Sequence, residues 1–310
     1  MISNYSRIKE FRLCKRKDYF SRVKRWTSST PRLELDYGTA IHTAIPTWFQ
    51  TKSVDKACAA FDESFNKYLE NPYLLPEQQD EGLAMQRLGH LSIQSYCETW
   101  KEDFTLIFPE YQSKAPLLDG KHELAFRTDA VISVGGALWL LERKTLSKSI
   151  SVNTIIESFA IDEQPTAYII GLRKKTGLPI TGFILEIVRK TTIPEIIREA
   201  IVRSAEQLYD TELGLYETID EMEQRDKELE HKKAVMTIGD ENEEVVTKRL
   251  YPKTTGTASC YQFFRPCLFL QHCKSARLTP FGNELVQKED DYVDVYTKEV
   301  TDGQARGGSE

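Results

Sequence analysis

No stretch of this 310-residue chain is long and apolar enough to cross a membrane as a helix, so no membrane partner is expected. Its first residues are polar and charged and lack the apolar core of a secretory leader. The expected setting is therefore intracellular and cytoplasmic, where disulfides are unlikely and clustered cysteines point to metal or redox chemistry. There is no internal repeat, and no helicase motif such as G-x-x-x-x-G-K-S/T. An overall excess of positive charge is also missing, since the net charge is −6. That average hides an asymmetry. From Met1 to Arg25 nine Lys or Arg face only Glu10 and Asp18, a local balance of +7 beside Tyr19, Phe20 and Trp26. Basic residues interleaved with aromatics suit a phosphate backbone and unstacked bases, although a charge run is also what an ordinary solvated helix face looks like.

What is present is concentrated in the middle of the chain. An apolar run, Glu123 to Val134, carries Asp129; Gly135-Gly136 follows; a second run, Ala137 to Leu141, ends in Glu142-Arg143-Lys144. Two glycines between apolar runs supply the positive φ angles of a hairpin turn. The second run is apolar at nearly every position, which predicts a strand buried on both faces. In a strand Glu142 and Lys144 share a face and Arg143 points away. Asp129 on the paired strand can meet Glu142 across the ladder. Two carboxylates offer hard oxygen ligands to Mg²⁺ or Mn²⁺, and a lysine beside them can orient an attacking water. An isolated Glu-x-Lys is also what a surface ion pair looks like. Upstream, Gly38-Thr39-Ala40-Ile41-His42 lies in a helical stretch, where a histidine is commonly just part-buried. Downstream, Gln164 and Tyr168 share a helix face, with Pro165 tolerable in the first turn only; a helix start with a packed tyrosine reads the same way.

Six cysteines are present: Cys14, Cys58, Cys97, Cys260, Cys267 and Cys273. Cys58 and Cys97 fall in amphipathic helical stretches and read as core thiols. The other four could hold an iron–sulfur cluster or a Zn²⁺ ion, between which spacing alone does not choose, or could be unrelated free thiols. With Zn²⁺, His272 is a possible substitute ligand.

The expected organisation begins with a helix from Ser3 to about Lys24, N-capped by Ser3. A helix from Tyr37 to Gln50 follows, bent or ended near Pro46. Amphipathic helices Val54 to Glu70 and Glu77 to Lys101 form a lobe, about residues 36–110. The core then runs strand, turn, strand, helix (Asp162 to Lys175), strand (Ile180 to Val188). A long helix is expected from Pro194 to Lys233, its acidic half Glu217 to Glu230 facing solvent, then a loop at Glu241 to Glu244. From Glu284 onward the chain is polar, and residues 284–310 read as a disordered tail.

Taken together and in this order, Gly38/His42, Asp129, Glu142/Lys144 and Gln164/Tyr168 resemble the RecB-type nucleases of the PD-(D/E)XK superfamily. The resemblance covers the G-x-x-x-H, aspartate, E-x-K and Q-x-x-x-Y elements. It implies an α/β fold, a mixed central sheet of the restriction-endonuclease type flanked by helices, with an N-terminal helical lobe, over residues 1–283. It implies that His42, Asp129, Glu142 and the Arg143 backbone carbonyl hold Mg²⁺ or Mn²⁺. Asp129, Glu142 and Lys144 would be catalytic, and Gln164 and Tyr168 would position DNA. One cysteine near the N-terminus and three after the core resemble the iron–sulfur nucleases of the AddB type and the CRISPR-associated Cas exonucleases. That implies a 4Fe–4S cluster on Cys14, Cys260, Cys267 and Cys273, stapling the chain's ends around the fold. Here six residues separate Cys260 from Cys267, where two is the commonest gap. The implied activity is hydrolysis of phosphodiester bonds at DNA ends or in single strands, by an exonuclease acting in recombination or repair, phage DNA processing or CRISPR spacer processing. Any unwinding would need a helicase or recombination partner. Two other classes fit the same residues less fully: a DNA-binding module with a dead site, and a zinc-stabilised scaffold.

Overall fold

The structure is a computed structural model that describes residues 1–28, 31–100, 104–118, 120–235, 243–254, 257–262, 265–275 and 285–287. Its first half runs β1 (Ile2–Asn4), α1 (Tyr5–Leu13), α2 (Lys15–Asp18), a π-helical turn (Tyr19–Val23), β2 (Trp26–Ser28), α3 (Leu33–Thr51), α4 (Val54–Leu69) and α5 (Pro76–Thr99), then five strands: β3 (Thr105–Phe108), β4 (Tyr111–Leu117), β5 (His122–Thr128), β6 (Ala130–Val134) and β7 (Ala137–Ser147). The second half runs α6 (Val152–Ile161), α7 (Glu163–Thr176), β8 (Ile180–Lys190), β9 (Glu195–Val202), α8 (Ala205–Val235), α9 (Glu243–Leu250), α10 (Thr257–Cys260), β10 (Tyr261–Gln262), β11 (Arg265–Pro266), α11 (Leu270–Ser275) and β12 (Leu285–Gln287). These elements form two compact units. One draws on Met1–Ser29, Pro116–Ala125 and the described residues of Glu212–Glu299, the other on Thr30–Ala115 and Phe126–Thr211.

The second unit is built on a five-stranded mixed sheet of order β3-β6-β7-β8-β9. The anticipated hairpin joins β6 to β7, and Gly135 and Gly136 both take positive φ (57° and 82°), as a tight two-residue turn requires. β7 pairs parallel with β8, and such a pair needs a long crossover, which α6 and α7 supply. β8 turns back into antiparallel β9. β7 is therefore the middle strand, and Leu140 and Leu141, on opposite faces, are both fully buried. Helices α3, α4 and α5 share an aromatic core of Tyr37, Trp48, Phe49, Phe61, Phe65, Tyr68 and Tyr96. Of the two outcomes expected at Pro46, a bend or an end, the end does not occur, and α3 runs on to Thr51. Pro46 removes only the N–H that would bond the His42 carbonyl, while buried Ala40, Ile41, Ala44, Ile45 and Trp48 hold the helix on both sides.

Three further expectations needed revision. The apolar run Glu123 to Val134 is not one strand. It breaks at Asp129 into β5, which lies between β1 and β4, and β6, which lies between β3 and β7. The helix expected to start at Pro194 begins at Ala205 instead. Residues Glu195–Val202 carry Ile196, Ile197, Ile201 and Val202, and β-branched side chains suit the strand that satisfies the free edge of β8. Glu243 and Glu244, read as loop, begin α9.

In the first unit β1 pairs parallel with β5, which uses Ser3 in a strand and moves the helix cap to Asn4, whose side chain accepts from the Arg7 N–H at 2.9 Å. The expected single helix breaks at Cys14, whose backbone is extended (φ −162°, ψ 109°). Tyr19, Phe20 and Trp26 are buried with Tyr251 and Phe269 and cannot stack on bases. The basic residues around them are engaged as well. Arg7 bonds Asp226 and Asp18, Lys15 bonds Glu221, Arg12 bonds Thr218, Arg16 bonds the carbonyls of Tyr251 and Lys248, and Lys17 and Arg22 lie on Glu10. The acidic half of α8 thus keeps Glu217, Glu228 and Glu230 exposed as expected, while Asp226 and Glu221 are partners of Arg7 on α1 and Lys15 on α2. Within the tail anticipated as disordered, Leu285–Gln287 pairs with Trp26–Ser28; residues 288–310 lie outside the described residues. Among the described residues no helix is long and apolar enough to cross a membrane.

Candidate active site

In the second unit His42, from α3, comes to Asp129, Glu142 and Lys144 of the β6–β7 hairpin. The β6–β7 register pairs Ala130 with Leu141, so Asp129, one residue before β6, lies level with Glu142. The Asp129 carboxylate is held from two sides. Its Oδ1 bonds His42 Nδ1 at 2.8 Å, and its Oδ2 accepts from the Arg143 backbone N–H at 2.7 Å. His42 reaches it because α3 runs close to β7: a Cβ built on Gly38, one turn earlier, would lie 3.4 Å from Thr145 Oγ1. With Nδ1–H donating to Asp129, the lone pair of His42 Nε2 remains available as a ligand. Glu142 is almost fully buried and ion-paired to Lys144, with Nζ 2.7 Å from Oε1. The Lys144 ammonium also lies over the Phe159 ring, 5.5 Å from its centroid.

The electrostatics are those of a crowded acidic site. Burial pushes the Glu142 carboxyl above its ordinary range, and the charge of Asp129 adds to that push against the pull of Lys144. Burial would raise Asp129 too, but His42 and the Arg143 N–H outweigh it and hold the carboxyl well below its ordinary range. Burial opposes the charge on Lys144, and the neighbouring Glu142 and Asp129 carboxylates more than restore it. Buried Glu142, half-buried Asp129 and the imidazole of His42 offer the oxygen and nitrogen donors that suit a hard divalent cation.

Gln164 and Tyr168 lie on the first turns of α7 and bond each other, Nε2 to the phenol oxygen at 3.1 Å. Asp162 caps that helix, accepting from the Gln164 N–H at 2.7 Å, and its charge reaches Lys144. Arg203, which the sequence did not flag, ties this corner down. It donates to Thr166 Oγ1 (2.8 Å), the Phe159 carbonyl (2.7 Å) and the Asp162 carbonyl (3.2 Å).

The four spaced cysteines all fall in the first unit. The thiols of Cys14, Cys267 and Cys273 feel one another's charge, as do Cys260 and Cys267. Burial first, then Cys14 and Cys267, push the Cys273 thiol up to about 11. The six-residue gap closes through the β10–β11 hairpin, which brings the Cys267 N–H to the Cys260 carbonyl at 2.7 Å. Thr254 bridges two of the set, its N–H to Cys14 Sγ (3.5 Å) and its carbonyl to Cys260 Sγ (3.8 Å). Cys58 and Cys97 pack against the helical core.

A further group was not legible from spacing. His122, Asp220 and Glu223 bring ligand atoms within 4.8 Å of one another. Asp220 and Glu223 share a helix face, which the sequence does show, but nothing in it points to His122. The Lys121 ammonium lies on Asp220 and the Met1 ammonium on Glu223 at 3.3 Å, so protein cations already stand where an ion would.

Comparison with known proteins bears on the whole arrangement. No curated protein matches the chain. A "Putative exonuclease" from Eubacterium rectale is similar at 14% identity and a TM-score of 0.44, over 69% of this chain and 78% of that one. The protein SSO0001 is similar at 14% identity and a TM-score of 0.27, over 58% of this chain and 73% of that one. Residues 3–241 match the PD-(D/E)XK nuclease superfamily, a span that holds His42, Asp129, Glu142, Lys144, Gln164 and Tyr168, and the chain belongs to that superfamily.

Proposed function

We propose that this chain is a RecB-type nuclease that hydrolyses phosphodiester bonds of DNA, as an exonuclease acting on ends or single strands. The observation that carries the reading is the meeting of His42, Asp129, Glu142 and Lys144 at one place on the central strands. A binding-only relative has no need of all four. His42, Asp129, Glu142 and the Arg143 carbonyl are the residues that would hold Mg²⁺ or Mn²⁺. A divalent ion there supplies Lewis-acid polarisation of the scissile phosphate and a more acidic water. Asp129 and Glu142 give the site its negative charge, and His42 orients Asp129. Lys144 sits on the same face, placed to hold the attacking water and to offset charge gathering on the phosphate. Gln164 and Tyr168, fixed to each other and to a helix clamped by Arg203, position the DNA strand.

Cys14, Cys260, Cys267 and Cys273 are the residues that would hold a 4Fe–4S cluster. The mutual charge influence of thiols from both ends of the chain supports that reading. The test is incubation of anaerobically purified protein with end-labelled single- and double-stranded DNA, with Mn²⁺ or with EDTA. Metal-dependent degradation is expected, and its product pattern gives the polarity. A folded, cluster-loaded protein that binds DNA without degrading it would make the chain a binding module instead.

A further inference from the structure

On the opposite face of β7 from Glu142 and Lys144 lies a second set of charges that the nuclease motif does not include. Arg143, Glu186 and Arg198 are direct cross-strand partners on β7, β8 and β9. Arg143 and Glu186 are fully buried. Arg143 Nε donates to Glu186 Oε2 and Arg198 Nε to Glu186 Oε1, each at 2.8 Å. Helix α5 closes the row: Arg143 Nη2 donates to Tyr96 Oη at 3.0 Å, and Arg198 Nη1 to the Thr99 carbonyl at 3.0 Å. Both guanidinium groups also lie over the Tyr96 ring, at 5.2 and 5.6 Å.

The central strand poses a register problem that this row answers. A slip of one residue turns every side chain of a strand to the other face, and hydrophobic alternation normally forbids it. β7 has no such alternation, because Leu140 and Leu141 are both fully buried. β8 is no better, with Phe183, Leu185, Ile187 and Val188 all fully buried. The β7–β8 ladder even shifts register between Leu138 and Trp139. Apolar packing would therefore accept Glu142 and Lys144 facing inward and Arg143 facing out. A buried guanidinium that must meet a buried carboxylate accepts one register only, the role for which buried polar groups are best attested. The same residue offers its N–H to Asp129, so the height of β7 sets the site directly.

We propose that Arg143 is a positioning residue through its side chain, and that the Arg143–Glu186–Arg198 row with Tyr96 fixes β7 so that Glu142 and Lys144 meet Asp129. The inference rests on the metal-site reading above. The test is Mn²⁺ binding by calorimetry, with kcat and KM for DNA, on wild type, Arg143→Met, Arg143→Lys and Tyr96→Phe. Arg143→Met leaves the Glu186–Arg198 pair balanced. Removing a positive charge behind two carboxylates would, by charge alone, tighten Mn²⁺ binding. Loss of position does the opposite, so we expect the Mn²⁺ Kd of Arg143→Met to rise at least tenfold and kcat to fall with KM little changed. Arg143→Lys recovers only part, since an ammonium cannot reach Glu186 and Tyr96 together in the geometry of the planar fork. Tyr96→Phe keeps every charge and shifts Kd a few-fold, which preserves the test should Arg143→Met fail to fold. Unchanged or tighter Mn²⁺ binding in a folded Arg143→Met, or no shift in Tyr96→Phe, overturns the inference. Wild-type protein that binds no Mn²⁺ overturns the metal-site reading instead.

Discussion

The two units place their charged residues by opposite rules. In the second, Asp129, Glu142, Arg143 and Lys144 span sixteen residues of sequence on two adjacent strands, and a single hairpin brings them together. In the first, Arg12, Lys15 and Arg16, and Arg7 besides its bond to Asp18, find partners more than two hundred residues away on α8, α9 and the segment after it. A local arrangement can be read from spacing because strand geometry dictates which residues share a face. A remote one cannot, because nothing in α1 distinguishes a helix that waits for DNA from one that waits for another part of the same chain. The +7 stretch at the N-terminus is the instance: its aromatics turned out to be core and its cations structural partners.

The largest effect is expected at the cysteines of the first unit, which come from both ends of the sequence. If the proposed cluster is bound, Cys14→Ser should purify with less brown colour, iron and sulfide than wild type and melt at a lower temperature, since metal binding is coupled to folding. Elemental analysis with a thermal melt checks this; zinc without iron would point to the zinc-bound reading. The next effect belongs to the second unit. Lys144→Ala should reduce DNA degradation on the order of 10²–10³ while leaving Mn²⁺ and DNA binding intact, as loss of a preorganised electrostatic group does. Single-turnover kinetics measure it.

A smaller effect separates burial of charge in the two units. Asp18 is fully enclosed, and burial, opposed by Arg7, raises its carboxyl to about 6. The folded state then holds this proton more tightly than the unfolded chain does. Its contribution to stability is full below the unfolded value near 3.8 and is lost as pH rises to about 6. The loss is about 3 kcal/mol. Denaturant unfolding of wild type and Asp18→Asn at pH 3 and pH 7 should show their difference shifting by that amount, with wild type the one that weakens. The smallest change concerns packing under β5 and α7. A Cβ on Gly171 would lie 2.5 Å from the Phe126 ring, so Gly171→Ala should destabilise by about 1–3 kcal/mol. A thermal melt of the variant reads it.

Much of the second unit was legible in the sequence. The Gly135-Gly136 turn, the doubly buried β7, the strand–helix–strand crossover and the shared face of Glu142 and Lys144 follow from backbone geometry alone. The α6 helix and β9 were missed because β-branched and charged residues mix in both, and tertiary pairing decides the outcome. Asp129 was read as part of one strand, whereas it stands where the chain leaves one sheet and enters another. Glu186, Arg198, Arg203 and Tyr96 carry no motif. They matter through what they touch, and the pairing of Arg143 with Glu186 becomes visible only once β7 and β8 are in register.

The proposed nuclease centre stands on the convergence of His42, Asp129, Glu142 and Lys144. The most direct measurement is degradation of end-labelled DNA with Mn²⁺ by wild-type protein beside Glu142→Ala, both shown folded by circular dichroism. Degradation is expected from wild type and should disappear in the variant and in EDTA. Equal degradation by the two proteins would mean that Glu142 is not part of the centre that cuts DNA.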